Sequence, residues 1–254
     1  MQVWHVLYTT GLLPARPLMH NKYMPVWLEF SSRLSLLIAI ACSLIILVDI
    51  LSGNRQRMWI MNAVWPLTAL YGGLLALLVY YTLGRSTSGR NRQQHEERHH
   101  DSQPAARPFW QSVLLGTTHC GSGCTLGDII AEWFLYLVPV TLFGTQLLMA
   151  WSMDYILAFI FGVAFQYFTI MPMRAVSVKQ GLLAAIKADV LSLTAWQIGM
   201  YGWMAITFFV IFGHEIPKND PVFWFMMQIA MLAGFITSYP VNWWLIKNGI
   251  KETM

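Results

Sequence analysis

Six stretches of this chain each run for about 20 predominantly apolar residues, the length a helix needs to cross the hydrocarbon of a bilayer. Inside lipid only helices and closed barrels satisfy their own backbone, and barrel strands are half as long, so the stretches predict membrane helices. They lie near Leu34 to Ser52, Trp59 to Leu83, Leu126 to Trp151, Tyr155 to Met173, Asp189 to Gly213 and Val222 to Ile246. Composition agrees: 56% of residues are hydrophobic and only 11% charged, where soluble domains carry about a quarter charged. Twelve Trp and ten Tyr suit a chain with many interfacial crossings. The expected fold class is an all-α polytopic membrane helix bundle of about six transmembrane helices. Pro66, Pro139, Pro172 and Pro240 fall in or beside spans, where kinks are expected.

The distribution of positive charge orients such a bundle, because cytoplasmic loops retain Lys and Arg. With six crossings one side carries 13 of the 16 basic residues and the other only Arg55, Arg57 and Lys218. Both termini are therefore expected in the cytoplasm, with the chain in the inner membrane of a bacterium. The net charge of +4 reports topology and gives no reason to invoke nucleic acid. Met1 to Leu13 lacks a basic leader and a cleavage site, and reads as an interfacial segment stopped by Pro14 and Pro17.

The chain divides into an amino-terminal segment with two membrane helices (1–83), a polar linker (84–108) and a four-helix membrane domain (109–254). His95, His99 and His100 lie in the linker and read as a solvated charged loop rather than a metal site.

The chemistry concentrates at the start of the third domain. His119, Cys120, Cys124, Asp128 and Glu132 bring soft and acidic ligand types within 14 positions. A helix running unbroken from Phe109 to Trp151 would be about 64 Å long, roughly twice the hydrocarbon thickness. A break is needed, and Gly121, Gly123 and Gly127 could supply it. This predicts an interfacial helix, a glycine-rich turn through Cys120 and Cys124, and a third membrane helix capped at Thr125 and beginning at Leu126. At such an N-terminus the dipole favours a Cys124 thiolate, while Asp128 and Glu132 share one helix face. No Lys or Arg lies between Arg107 and Arg174, so a bound cation, a retained proton, or a base from another helix such as Lys187 or Arg174 must balance the acids.

Thiolate and imidazole select zinc or copper(I), and His119, Cys120 and Cys124 with Asp128 or Glu132 would make the four ligands usual for zinc. Met171 and Met173 could add soft ligands, although Met more often fills cores. Cys42 reads as apolar filler. Asp49 is expected to meet Arg55 or Arg57, Asp154 to cap the fourth span, and Asp189, flanking the start of the fifth with Lys187, to join Asp128 and Glu132 or to pair with Lys187 and Arg174. Gln166, Gln197, Ser238 and Asn242 suit interhelical hydrogen bonds. With these boundaries no carboxylate sits at the membrane midplane, which weighs against a pump. Haem and nucleotide cofactors are not expected, since paired membrane histidines and a Walker loop are both missing from the sequence.

The run His119-Cys120-Gly121-Ser122-Gly123-Cys124-Thr125-Leu126-Gly127-Asp128-Ile129-Ile130, followed by Glu132-Trp133, resembles the signature of a bacterial membrane family, domain of unknown function 4396. The resemblance extends from roughly Phe109 to the C-terminus. It implies a multi-helix inner-membrane protein, with members sometimes associated with copper-handling genes, and it carries over no catalytic residue. From the chemistry, three roles are expected in descending order. The first is metal handling or transport of copper(I) or zinc. The others are a non-catalytic subunit with a membrane-protein partner or a second copy, and a thiol-disulfide oxidoreductase using Cys120 and Cys124.

Overall fold

The computed structural model describes residues 24–56, 58–85, 108–170 and 178–251. The amino-terminal segment, Arg57, the linker histidines, Met171, Met173 and Arg174 lie outside these residues. Among the described residues the fold is all-helical, with six helices and no strand. These are α1 (Val26–Leu51), α2 (Met61–Val79, continued by a π-helical turn Tyr80–Gly84), α3 (Phe109–Leu137), α4 (Gln146–Ile170), α5 (Val178–Ala205, continued by π-helical Ile206–Ile211) and α6 (Pro221–Lys247). All but α3 are long and apolar enough to cross a membrane.

In α1 the apolar character goes all the way round. Ala39, Cys42, Ile46 and Ile50 pack inward while Leu37, Leu44 and Val48 are exposed, as expected of a helix with lipid rather than water on its outer face. Cys42 is apolar filler, as expected.

Although α2 has the length of a span, it turns back on itself. Gly73 has φ 50° and ψ −127°, which interrupts the helix. Trp65 and Tyr80 would stand about 22 Å apart along a straight helix. Instead their rings meet edge-to-face at 5.6 Å, and Gly84 abuts the Trp65 indole. Both arms are therefore about half a bilayer deep, with the tip near Tyr71 at mid-membrane. Asp49, near the end of α1, pins the returning arm: it pairs with Arg85 at 2.9 Å and accepts from the Tyr80 hydroxyl at 2.7 Å. Among the described residues its basic partner is therefore Arg85 and not the expected Arg55, while Arg57 lies outside them.

Five helices then cross: α1, α3, α4, α5 and α6. Lys251, folded back after α6, marks one side of the bundle, and Lys218, in the α5–α6 connection, marks the other. Since α2 does not cross, α1 begins on the Lys218 side. The start of α1 and the end of α6 therefore lie on opposite sides of the bundle, while both chain ends, residues 1–23 and 252–254, lie outside the described residues. Among the described residues Arg55, Arg85, Lys179, Lys187, Lys247 and Lys251 belong to the Lys251 side, and Arg33 and Lys218 to the other. Six charges against two keeps the asymmetry, but Arg33 and Arg55 have exchanged sides. Single cysteines at Gln56 and Arg85 are expected to react with an impermeant maleimide from the same face, and one at Val26 from the opposite face. Labelling of Gln56→Cys and Arg85→Cys from opposite faces would disprove the hairpin.

The helix too polar to qualify as a span lies at the centre. α3 packs against α2, α4, α5 and α6, and 18 of its 29 residues are buried. Its polar residues cross the bilayer because neighbouring helices, rather than lipid, surround them.

Candidate functional site

The site is built on α3, and its first feature is that the helix does not break. The glycines expected to make a turn instead let helices approach. A Cβ at Gly127 would lie 2.5 Å from the Ala158 backbone nitrogen, and one at Gly123 would lie 3.0 Å from the Gly162 Cα. Gly123 and Gly127 thus form the small-residue seam by which membrane helices pack closely, here α3 on α4. The helix survives its glycines because no water competes for its backbone within the bundle. Its hydroxyls bond back to the same helix: Thr117 to Val113, Ser122 to His119 and Thr125 to Gly121, each at 2.7 to 2.8 Å through the carbonyl. The break that chain length demands falls after Leu137, where Pro139 and the left-handed Phe143 and Gly144 turn the chain into α4.

Continuity of α3 redistributes the expected ligands. His119 and Glu132 lie about 20 Å apart along the axis, too far to share one ion. His119 faces α4, where its Nε2 meets the Thr169 hydroxyl at 3.0 Å and its ring meets Phe165 edge-on. Glu132 lies near the opposite end and forms an ion pair with Lys218. Lys218 stands outside the spans, and burial pushes its ammonium down to about 8. Among the described residues no group of three or more His, Cys, Asp or Glu is arranged to hold a metal ion. The capped N-terminus that would have favoured a Cys124 thiolate is also gone, since Cys124 is mid-helix.

What α3 does form is a column of polar groups through the bundle. It begins on the Lys251 side, where the buried Lys251 ammonium donates to Asn242 Oδ1 at 2.8 Å and to the Gly116 carbonyl at 3.3 Å. Asn242 Nδ2 donates to Ser192 Oγ at 2.8 Å and to Ser238 Oγ at 2.9 Å, which ties α6 to α5. One turn before Ser192 on α5, Asp189 fills the space left by Gly162 and lies against the Cys120 thiol, within electrostatic reach of Lys251. Cys120 in turn adjoins Cys124. Past the thiols, Asp128 and Asp154 lie within electrostatic reach of each other and of Tyr201, whose hydroxyl donates to the Trp151 carbonyl at 2.6 Å. The Glu132–Lys218 pair completes the column on the far side.

Three of these carboxylates are deep in the membrane. Asp128 lies about 13 Å from the end of α3, Asp154 about 12 Å into α4 and Asp189 about 16 Å into α5, measured against roughly 30 Å of hydrocarbon. All are at most 1% exposed, and among the described residues none of their oxygens has a hydrogen-bond partner of good geometry. Asp154 is therefore no helix cap and Asp189 no flanking residue. Carboxylates thus lie well inside the bilayer, where the span limits read from sequence had left them near its faces, and this removes the reason to exclude ion movement. Sequence reasoning singled out Cys120, Cys124 and Asp128 but missed Lys251, whose sole signal was a cation shortly after the last apolar run.

These features define an all-helical, multi-pass membrane protein with ionisable groups along its central helix. Residues 109–251 match the family described as Domain of unknown function (DUF4396), so the chain belongs to that family. No curated protein and no solved structure matches it. The matched region begins at the first residue of α3 and ends at Lys251, and so contains the whole column. α1 and the α2 hairpin lie outside it.

Proposed function

We propose that this protein transports a soft cation, copper(I), across the bacterial inner membrane along the α3 column. The observation that carries this reading is the meeting of two thiols, Cys120 and Cys124, with a buried carboxylate, Asp189, deep in the bundle. A buried carboxylate without a counter-ion is costly, so each acid must hold a proton or accompany a cation. Thiols select soft ions, and Met200 and Met204 belong to the same buried cluster as both cysteines. Zinc prefers four ligands, whereas among the described residues no three His, Cys, Asp or Glu form a group that would hold an ion, which leaves the two thiols as the soft donors at this level. That deficit favours copper(I). Coordination displaces a thiol proton, and Asp189 is placed beside Cys120 to receive it.

The excess of basic residues on the Lys251 side supports a cytoplasmic location for that end. A thiol-disulfide exchange role has less support. Residues i and i+4 on a continuous helix hold their Cβ atoms about 5–6 Å apart, beyond the roughly 3.5–4.5 Å of a disulfide.

The test is copper(I) flux into proteoliposomes containing a trapped copper(I) chelator. Wild-type protein is expected to load the chelator. Cys120→Ser with Cys124→Ser is expected to reduce the rate at least tenfold, in line with about 1.4 kcal/mol or more of lost coordination. Unchanged flux in the double variant, or no flux in the wild type, would overturn the proposal.

A further inference from the structure

Beside the column, a cavity of about 290 Å³ opens between α1, α2, α3 and α6, just below the usual range of small-molecule sites. Its walls are mainly apolar. Ile40 and Trp133 at its rim are 49% and 43% exposed on the outer face of the bundle, so the cavity faces the bilayer laterally. Two of its polar side chains are already satisfied. Gln228 accepts from Ser35 at 2.7 Å and donates to the Leu70 carbonyl at 2.8 Å, and Thr125 donates to Gly121.

The other two are not satisfied. The Tyr71 hydroxyl is buried without a partner of good geometry, and the neighbouring Thr68 hydroxyl is committed to the Val64 carbonyl. Asp128 is fully buried with both oxygens unpartnered. Trp133 and Trp224 stack beside them, with centroids 6.1 Å apart and planes 18° from parallel.

This combination selects its occupant by charge. An apolar chamber with one carboxylate, one free hydroxyl and indole faces suits a single compact positive charge on an apolar body, since ammonium ions bind both carboxylates and indole faces. An anionic lipid tail would gain no ion pair from Asp128, whether the acid keeps its proton or not. A phospholipid head group would stay at the interface, while Asp128 is about 13 Å from the end of its helix. We propose that this cavity binds a lipophilic primary amine taken from the bilayer, its ammonium hydrogen-bonded to Asp128 and Tyr71. The acid enters the exchange with its proton and the amine enters protonated. An ion pair forms and one proton leaves, so charge balances. This site shares Asp128 with the column but includes neither thiol, and its occupancy is read without copper(I).

The test uses full-length protein in phosphatidylcholine nanodiscs, titrated calorimetrically with octylamine and, separately, with 1-octanol, in two buffers of different ionisation enthalpy. Octylamine is expected to bind saturably, to release about one proton and to bind at least tenfold tighter than octanol, the scale of a charge-assisted hydrogen bond. Asp128→Asn should remove that preference, and Tyr71→Phe should weaken octylamine about fivefold. Ala39→Leu, which narrows the cavity from α1 without touching the column, should weaken both ligands. Equal binding of amine and alcohol by the wild type would overturn the proposal. So would an amine preference that survives Asp128→Asn, or unaltered binding in Ala39→Leu if Asp128→Asn does not fold. Copper(I) flux is read separately, so failure here leaves the transport proposal standing, and the reverse.

Discussion

Gly127→Val is expected to separate α3 from α4 and to destabilise the protein by about 3 kcal/mol, toward the upper end for overpacking. The reason is the identity of the obstructing atoms: the new Cβ would meet the Ala158 backbone at 2.5 Å, and a backbone cannot rotate away as a side chain can. Thermal unfolding in detergent measures the effect. Gly202→Ala supplies the control, because a Cβ there meets nothing within 4 Å and the position is helical. It should be neutral or slightly stabilising, since alanine is the better helix former by up to about 1 kcal/mol. If Gly127→Val melts like wild type, the seam carries no packing role.

Lys251→Met is expected to cost about 2 to 3 kcal/mol, through two effects of the lost ammonium. Asn242 Oδ1 and the Gly116 carbonyl lose a buried charged donor, and Asp189 loses the one cation shown to act on it. The second effect predicts coupling. Adding Asp189→Asn to Lys251→Met should cost less than the two changes do separately, because a neutral amide does not need the ammonium. A double-mutant cycle on melting temperature reads this directly. Strict additivity would mean that Lys251 supports only the Asn242–Ser192 network, and that Asp189 is balanced by something else.

The membrane class and the six helices are legible in the sequence because apolar runs reflect the solvent around a helix. Two features are not, for opposite reasons. In α2 the run from Trp59 to Leu83 has the length and apolarity of a span, and only the left-handed conformation at Gly73 turns it into a hairpin. In α3 the apolar signal fails, because a helix surrounded by other helices need not be oily. Its glycines then look like a turn when they are a packing seam. The motif is legible as residue types but not as a constellation. Cys120, Cys124 and Asp128 belong to one column, while His119 and Glu132 take partners on other elements. Asp154, Asp189 and Lys251 reach the column through tertiary packing that spacing along the chain cannot reveal.

The hairpin has a consequence for how the chain is assembled from modules. The family domain contributes four crossings, an even number, so it leaves the membrane on the side where it starts. A preceding module of one crossing and one hairpin places the start of α1 on the far side without inverting the domain behind it. Both ends of the family domain thus meet on one side of the bundle, where Lys251 closes back on Gly116 of α3.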